Sequence, residues 1–365
     1  MTDLAARPAT RTPARVDGSA THDRWRAIGL LTGLVAGLVV ACLAAGALGA
    51  FPIAPADIAA SVGRRLGLTT AAATDPTAEA VLWQIRFPRV VLGVVVGASL
   101  GVGGALLQGL FRNPLAEPGI IGVSAGAAVG AATAIVTGLS ALGGGATAAS
   151  AFVGGLVATL LVYAVARSGR RTEVVTLVLA GIAINAVAGA AIGLLMFLST
   201  DAQVRAVAFW NLGSLGSATW GAVATVAPLA VLGLATAPWF ARQLDLLALG
   251  EPVAGHLGVD VNRLRLLVIV VVAMLTAAAV AVAGVVSFVG LVVPHLIRLA
   301  TGPGHRLLLP ASALGGALLL VVADLVARTV AAPAEVPLGV LTALVGGPFF
   351  FWLLLRTRER QGGWA

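Results

Sequence analysis

The chain has 365 residues, of which 59% are hydrophobic and only 10% are charged. Soluble domains are roughly 45–50% apolar and about 25% charged, so a soluble fold could not bury this much apolar surface. Several apolar runs of about 20 residues suit helices that cross a bilayer. The alternating segments of about ten residues that build a membrane β-barrel are absent from the sequence. We therefore expect an all-α integral membrane protein.

All 23 basic residues are arginine, and lysine does not occur. A phosphate-binding loop of the Walker type needs a lysine, so the sequence excludes such an ATP site. The formal net charge of +8 is compatible with a nucleic-acid partner. However, the arginines are spread over short loops, which is typical of a membrane protein, and we expect no nucleic-acid partner. The single cysteine, Cys42, excludes an intrachain disulfide.

The first 24 residues are rich in Ala, Thr, Pro and Arg and lack a hydrophobic period, which predicts a disordered cytoplasmic tail over residues 1–24. Residues 25–356 are predicted to form one transmembrane domain, with a second cytoplasmic tail at 357–365. Ten spans are predicted near 27–50, 89–110, 119–137, 146–166, 174–198, 219–238, 264–283, 285–301, 307–326 and 337–355. A short amphipathic helix is expected around 57–66, and another near the outer surface within 199–220.

Arginine is distributed unevenly between the two sides that alternating spans define. With the N-terminus in the cytoplasm, most of the arginines fall on the inner side, as the positive-inside rule requires. Ten spans then place both termini in the cytoplasm.

A polar break, residues 112–118 (RNPLAEP), separates two apolar runs with small residues at every fourth position. These are Gly93, Gly97, Gly101, Ala105 and Gly109 before the break, and Gly122, Gly126, Gly130 and Ala134 after it. A step of four residues returns to nearly the same face of a helix, so each run predicts a smooth stripe that another helix approaches closely. The break itself predicts either a capped turn or a constriction at the cytoplasmic mouth of a pathway.

Polar residues within the predicted spans are few. Asn185 stands in a row of small residues and is expected to bond a neighbouring helix. Asp324, the only acid that falls within a predicted span, is expected to pair with Arg328 one helical turn away. His295 follows Pro294 and is expected to make a structural hydrogen bond rather than bind a metal. A single acid does not form a proton relay, which argues against an ion-coupled carrier.

The segment 239–264 is the most polar part of the predicted domain, yet it keeps a helical period of apolar residues at Leu246, Leu249, Val253 and Leu257. A short cytoplasmic helix with an apolar face needs a partner, so this segment predicts contact with a second protein.

A set of stretches resembles the FecCD-type permeases of ABC importers, which carry iron chelates and cobalamin. The stretches are RFPRVVLGVVVGASLGVGGALLQGLFRNPLAEPGIIGVSAGAAVG from Arg86, LVLAGIAINA at 177–186, FWNLGSLGSATW at 209–220, LALGEPVAGHLGV at 247–259, AGVVSFVGLVVPHLIRLATGPGHRLLLP at 283–310, and ADLVAR with EVPLGVLTALVGGPFFFWLL at 323–354. They occur in order and cover nearly everything from Arg86 to Leu354.

The resemblance implies about ten transmembrane helices in the type II importer architecture and a homodimer whose interface holds the pathway. It also implies two separate ATPase subunits, which bind ATP and Mg²⁺, and an extracytoplasmic substrate-binding protein. No cofactor, metal site or catalytic residue is implied for this chain. The expected location is the cytoplasmic, or inner, membrane of a bacterium.

The resemblance further implies roles for individual residues. ATPase coupling is implied for Leu249, Gly250, Glu251, Gly255, Leu257 and Gly258, within a coupling helix at about 246–259. Docking of the binding protein is implied for Arg86, Arg89 and Arg328. A cytoplasmic gate is implied for Asn113, Leu115, Val174 and Val175.

The expected cargo is an iron complex. The stretch from Trp210 to Leu215 is similar to the iron-complex branches of the family. LWQIRFPR and LFRNPLAEPG are similar to haem permeases, although NPLAEPG also occurs in cobalamin permeases. We expect haem first, a ferric siderophore second and cobalamin third. The rival class, a secondary transporter, would move its substrate without any ATPase.

Overall fold

The structure is a computed structural model that describes residues 17–68, 75–168 and 171–360. Its helices are α1 (Asp17–Ala47), α2 (Pro55–Arg65), α3 (Pro76–Val81), α4 (Phe87–Phe111), α5 (Val123–Val136), α6 (Gly144–Ala166), α7 (Val174–Phe197), α8 (Asp201–Leu212), α9 (Trp220–Thr236), α10 (Ala241–Leu247), α11 (Glu251–His256), α12 (Val261–Ala283), α13 (Val289–Thr301), α14 (His305–Ala327) and α15 (Leu338–Arg360). A two-stranded antiparallel hairpin, β1 (Arg167–Ser168) and β2 (Arg171–Thr172), joins α6 to α7.

Each predicted span corresponds to one helix. The helices concerned are α1, α4, α5, α6, α7, α9, α12, α13, α14 and α15. Seven helical stretches are long and apolar enough to cross a membrane, and the shorter apolar helices Val123–Val136, Val289–Thr301 and Leu338–Trp352 complete the set. The all-α transmembrane fold is therefore confirmed, with the small hairpin as its one departure in the described part of the chain.

The ends of the described chain extend the first and last spans beyond their predicted limits. Helix α1 begins at Asp17, so the second part of the predicted N-terminal tail is helical, and α15 runs on to Arg360. Residues 1–16 and 361–365, which hold the rest of the predicted tails, lie outside the described residues. The predicted short helices are present as α2 and α8.

Helix α4 lies at the centre of the bundle, and nearly all of it from Leu92 onward is buried. Its small-residue stripe packs against α14. A methyl group added at Gly97 would collide with the carbonyl group of Gly316, and one added at Gly101 would collide with the carbonyl oxygen of Ser312. The two backbones therefore touch, as the spacing of the small residues predicts.

The second stripe brings α5 against α6 in the same way. A methyl group added at Gly126 would overlap the carbonyl oxygen of Gly154, and one added at Gly130 would overlap that of Ser150. The two predicted stripes thus make two different helix pairs. The polar break between them carries the chain from the α4–α14 pair to the α5–α6 pair.

Candidate functional site

The predicted coupling segment consists of two short helices, α10 and α11, joined at residues 248–250. Glycines stand at both ends of α11, with φ of 112° at Gly250 and 85° at Gly258. These left-handed conformations favour glycine because it lacks a β-carbon. Pro252 lies in the first turn of α11, where its missing N–H costs no hydrogen bond. The sequence LGEPVAGHLG therefore specifies a short helix bounded by two sharp turns.

One face of α11 is packed against the protein and the other is open. Ala254 is fully buried, whereas Leu249 is 64%, Val253 44% and Leu257 56% exposed. Nothing lies within 4 Å of the β-position of Gly255. A contiguous row of exposed aliphatic side chains in a polar segment is typical of a protein interaction surface. We name Leu249, Val253 and Leu257 the aliphatic row.

Glu251 fixes α11 to the transmembrane bundle. Its carboxylate accepts a hydrogen bond from the guanidinium of Arg265 on α12. The Arg265 side chain is 6% exposed, and a buried guanidinium is stable only with such a partner. Glu251 was implicated in coupling by resemblance alone, and the structure shows that its side chain holds the segment in place. The coupling roles of Leu249, Gly250, Glu251, Gly255, Leu257 and Gly258 remain a prediction.

The polar break at 112–118 forms a capped turn at the end of α4. Arg112 adopts the left-handed conformation, with φ of 50°, and the amide of Asn113 donates back to the carbonyl of Gln108 at 3.2 Å. The Asn113 side chain accepts a hydrogen bond from the amide of Leu115 at 2.9 Å. These bonds occupy backbone groups that the helix end would otherwise leave unpaired.

Beyond the cap, the chain turns back into the bundle instead of staying at the surface. Pro118 lies beside Gly103 and Gly290, well inside the span of α4. Glu117 accepts a hydrogen bond from the backbone amide of Phe288, just before α13, at 3.2 Å. Glu117 lies between two predicted spans, so Asp324 is still the acid that falls within a span, but Glu117 is a second acid inside the bundle. Only the folded chain reveals the re-entry.

Leu115, one of the predicted gate residues, faces an apolar crevice. The crevice is lined by Pro114, Leu115, Leu291, Val292, His295, Phe349 and Phe350, which belong to the turn, α13 and α15. Both ring nitrogens of His295 are buried there without a hydrogen-bond partner in the described chain. The structural hydrogen bond predicted for His295 is therefore not formed.

The second predicted gate segment is at the start of α7. Val175 is 69% exposed, and Val174 is half-buried against the main apolar cluster. Among the described residues, neither Val174 nor Val175 lines the crevice that Leu115 faces. The gate role of Asn113, Leu115, Val174 and Val175 stays a prediction.

Two of the three predicted docking arginines cap α1. The guanidiniums of Arg86 and Arg328 are both directed at the end of this helix. Their acceptors are the carbonyls of Gly46, Ala47 and Phe51 for Arg86, and those of Ala45 and Leu48 for Arg328. The last carbonyls of a helix have no partner within the helix and carry its negative dipole end, so guanidiniums are suited to them.

The third arginine, Arg89, joins two acids. Its Nε lies 3.0 Å from both carboxylate oxygens of Asp324 on α14. Its terminal nitrogens donate to the two oxygens of Glu335, at 2.8 and 2.9 Å. The expected pair between Asp324 and Arg328 is present at 3.7 Å, but Arg89 is the closer partner of Asp324.

Glu335 is the exposed end of this network, in the loop between α14 and α15. Its side chain is 43% exposed, and the hydrogen bonds from Arg89 lower its pKa below the ordinary value. An acidic side chain from a docking protein would have to compete with Glu335 for Arg89. The docking role of Arg86, Arg89 and Arg328 stays a prediction, and their observed role is to tie helix ends together at one end of the bundle.

Glu335 also lines a cavity of about 940 Å³ at the same end of the molecule. Phe209 and Trp210 of α8, Ser214, and Thr219 just before α9 contribute to its wall. Hydroxyls, aromatic rings and the carboxylate of Glu335 all line the cavity, so its wall is amphipathic.

Gln108 is a site residue that sequence reasoning missed. It is 2% exposed, and its amide nitrogen is 3.3 and 3.2 Å from the carbonyls of Gly290 and Leu291 on α13. Its amide oxygen accepts a hydrogen bond from Arg298 at 2.8 Å. A lone glutamine in an apolar run is the only signal of such a tie in the sequence. The corresponding prediction for Asn185 is confirmed, because its amide nitrogen lies 3.3 Å from the carbonyl of Gly119.

Comparison with known proteins supports the interpretation of the fold. The model of the FecCD transport family matches residues 37–356. A hemin transport system permease protein of Yersinia pestis is 49% identical over 290 residues, which cover 77% of this chain and 85% of that protein. A cobalamin import system permease protein of Halobacterium salinarum is 46% identical over 283 residues, which cover 78% and 75%.

A solved structure is similar as well. It is described as an inward-facing conformation of a transporter assigned to the metal-chelate ABC type. The TM-score is 0.79 at 32% sequence identity, and the match covers 90% of this chain and 99% of that one.

Proposed function

We propose, from the premise that this chain belongs to the FecCD transport family of ABC importer permeases, that it moves an iron complex across the inner membrane. The observation that carries the proposal is the high identity with a hemin permease along most of both chains. Haem is the first candidate cargo and a ferric siderophore the second.

The aliphatic row supports dependence on a separate ATPase. It is apolar, exposed and fixed to the bundle through Glu251 and Arg265, which suits a lever that a partner protein moves. Two copies of this chain would enclose the pathway between them. When the two ATPase subunits close on ATP, the two copies would tilt relative to each other, and the central cavity would open to the other side of the membrane. In this proposal the ATPases bind ATP and Mg²⁺, while this chain carries out no covalent chemistry.

The remaining partners follow from the same mechanism. A binding protein would deliver the cargo at the outer end, where Arg89 and Glu335 lie. Both termini would face the cytoplasm, because arginine is concentrated on that side.

Cobalamin is the third candidate cargo and defines the alternative function, because a cobalamin permease is nearly as similar as the hemin permease. The two proposed functions differ only in the cargo, since both assign the chain to the same transporter architecture. Family likeness identifies the machinery better than it identifies the cargo.

Reconstitution would test the proposal. The chain is placed in liposomes with its cognate ATPase and binding protein, and uptake of haemin, a ferric siderophore and cobalamin is compared with and without ATP. We expect ATP-dependent uptake of an iron complex. Uptake of cobalamin alone would contradict the proposal that the cargo is an iron complex. Uptake without any ATPase would contradict the proposal that the protein is part of an ATP-driven importer.

A further inference from the structure

The coupling segment is tied to the bundle at a second point, by Asp245 on α10. One carboxylate oxygen of Asp245 lies 3.0 Å from the backbone nitrogen of His305 and 2.6 Å from Nδ1 of its ring. His305 is the first residue of α14, and the residue before it, Gly304, has no side chain that could cap the helix. Asp245 therefore caps α14 from a different helix, where its charge also meets the positive end of the dipole.

The ring of His305 continues this contact to α4. His305 is 5% exposed, and a methyl group added at Gly109 would collide with Nε2 of the ring. Gly109 lies in the last turn of α4, and its carbonyl accepts the hydrogen bond from the amide of Arg112 at 3.3 Å. The ring thus rests on the backbone turn that leads directly into the residues predicted to form the gate.

The distance in sequence distinguishes this cap from an ordinary one. Asp260 caps α12 through the amide of Arg263, three residues away, at 3.0 Å. Asp245 and His305 are 60 residues apart, so their contact fixes two separate elements to each other. The Glu251–Arg265 bond ties α11 to α12, and the Asp245–His305 contact ties α10 to α14 and α4.

We propose that Asp245 and His305 are a positioning pair through which movement of the coupling segment reaches the turn at residues 112–115. Displacement of α10 pulls on the capped end of α14 and moves the ring against Gly109. The turn begins within one helical turn of that contact, so the path contains no flexible loop. This role rests on the proposed function, because it needs an ATPase that moves the coupling segment.

The test uses the complex with the ATPase and a thiol reporter on the turn. Cys42 is the only cysteine, so a C42S background with R112C carries a single reactive thiol at an exposed position. The measurement is the labelling rate at position 112 with and without ATP. We expect D245A to reduce the ATP-dependent change in this rate about fivefold or more, a size typical of coupling between sites. Co-purification with the ATPase should be retained.

The matched control is D260A, which removes an N-cap of the same kind but makes no contact with His305. It should keep the ATP-dependent change, and D245N, which retains an acceptor oxygen, should restore most of it. If D245A keeps the full change while the complex is intact, or if D260A loses it equally, the proposal is overturned. A general loss of helix stability would affect both variants alike.

Amide hydrogen exchange on the isolated chain separates this proposal from the proposed function. D245A should accelerate exchange both at 305–308 and at 109–113, whereas D260A should leave both regions unchanged. Faster exchange at 305–308 alone would reduce Asp245 to a local cap and overturn the link to α4. Failure of the parent chain to bind any ATPase would overturn the proposed function while leaving this physical contact measurable.

Discussion

The most informative residues are charged groups whose partners lie far away in the chain. The family resemblance implies docking roles for Arg86, Arg89 and Arg328, and in the structure these residues bind helix ends and acids at one end of the bundle. A guanidinium in an apolar surrounding is stable only when its donors are engaged, so its acceptors are as important to the fold as the arginine itself.

Removal of the cap on α1 should be costly. R86A leaves several carbonyls at the end of α1 without their donor. We expect the free energy of unfolding to fall by about 2–4 kcal/mol, since each unpaired buried group costs about 1–3 kcal/mol. The measurement is thermal unfolding of the chain in detergent. The control R205A changes an exposed arginine on α8 and should stay within about 0.5 kcal/mol. Equal effects of the two variants would contradict the capping role.

The bond between Glu335 and Arg89 should make stability depend on pH. The folded-state pKa of Glu335 is lowered, so its contribution is present above the unfolded pKa, about 4.5, and is lost as the pH falls through the folded-state pKa. We expect E335Q to lower stability by about 0.5–1 kcal/mol at pH 7, because the pair is partly exposed. Unfolding measured from pH 7 to pH 3 should show this difference vanish in acid. A difference that stays constant over the range would exclude the ion pair as its cause.

At the scale of elements, the small-residue stripes decide which helices pair. The stripe on α4 meets α14 and the stripe on α5 meets α6, and in both pairs backbone touches backbone. The stripes predict that close contact occurs, since periodicity is a local property. They do not predict which helix is the partner, because α4 and α5 show the same pattern but pack against different helices.

A methyl group in the stripe should separate the pair it belongs to. G101A would place a β-carbon against the carbonyl oxygen of Ser312, and overpacking of this kind costs about 1–3 kcal/mol. G33A on α1 is the control, since nothing lies within 4 Å of that position and alanine favours the helix. Thermal unfolding of both variants gives the comparison. Unchanged stability of G101A would mean that α4 and α14 are farther apart than described.

For the whole molecule, the decisive feature is a surface that the fold leaves open. The aliphatic row along α11 is exposed, although Glu251 and Ala254, which lie between its members, are anchored to or buried against the bundle. In the proposed transporter this row is covered by the ATPase, which would explain why apolar residues are retained in a polar segment.

A charge placed in the row should abolish assembly without affecting the fold. L257E alters a side chain that is 56% exposed, so unfolding of the isolated chain should change by less than about 0.5 kcal/mol. The ATPase should no longer co-purify, because the charge would be buried on docking. Q243E adds the same charge to α10 outside the row and should assemble normally. If L257E still assembles with the ATPase, the aliphatic row is not part of the interface.

Composition and local periodicity are sufficient to predict the membrane class, the number and order of the spans, the small-residue stripes and the short glycine-bounded helix. A bilayer requires apolar runs long enough to cross it, and the period of a helix places every fourth residue on nearly the same face. Only the folded chain reveals the re-entry of Glu117, the internal partners of Arg86 and Arg89, and the contact of Asp245 with His305. A buried polar group pairs with whatever donor or acceptor the fold brings near, and segments far apart in sequence supply it.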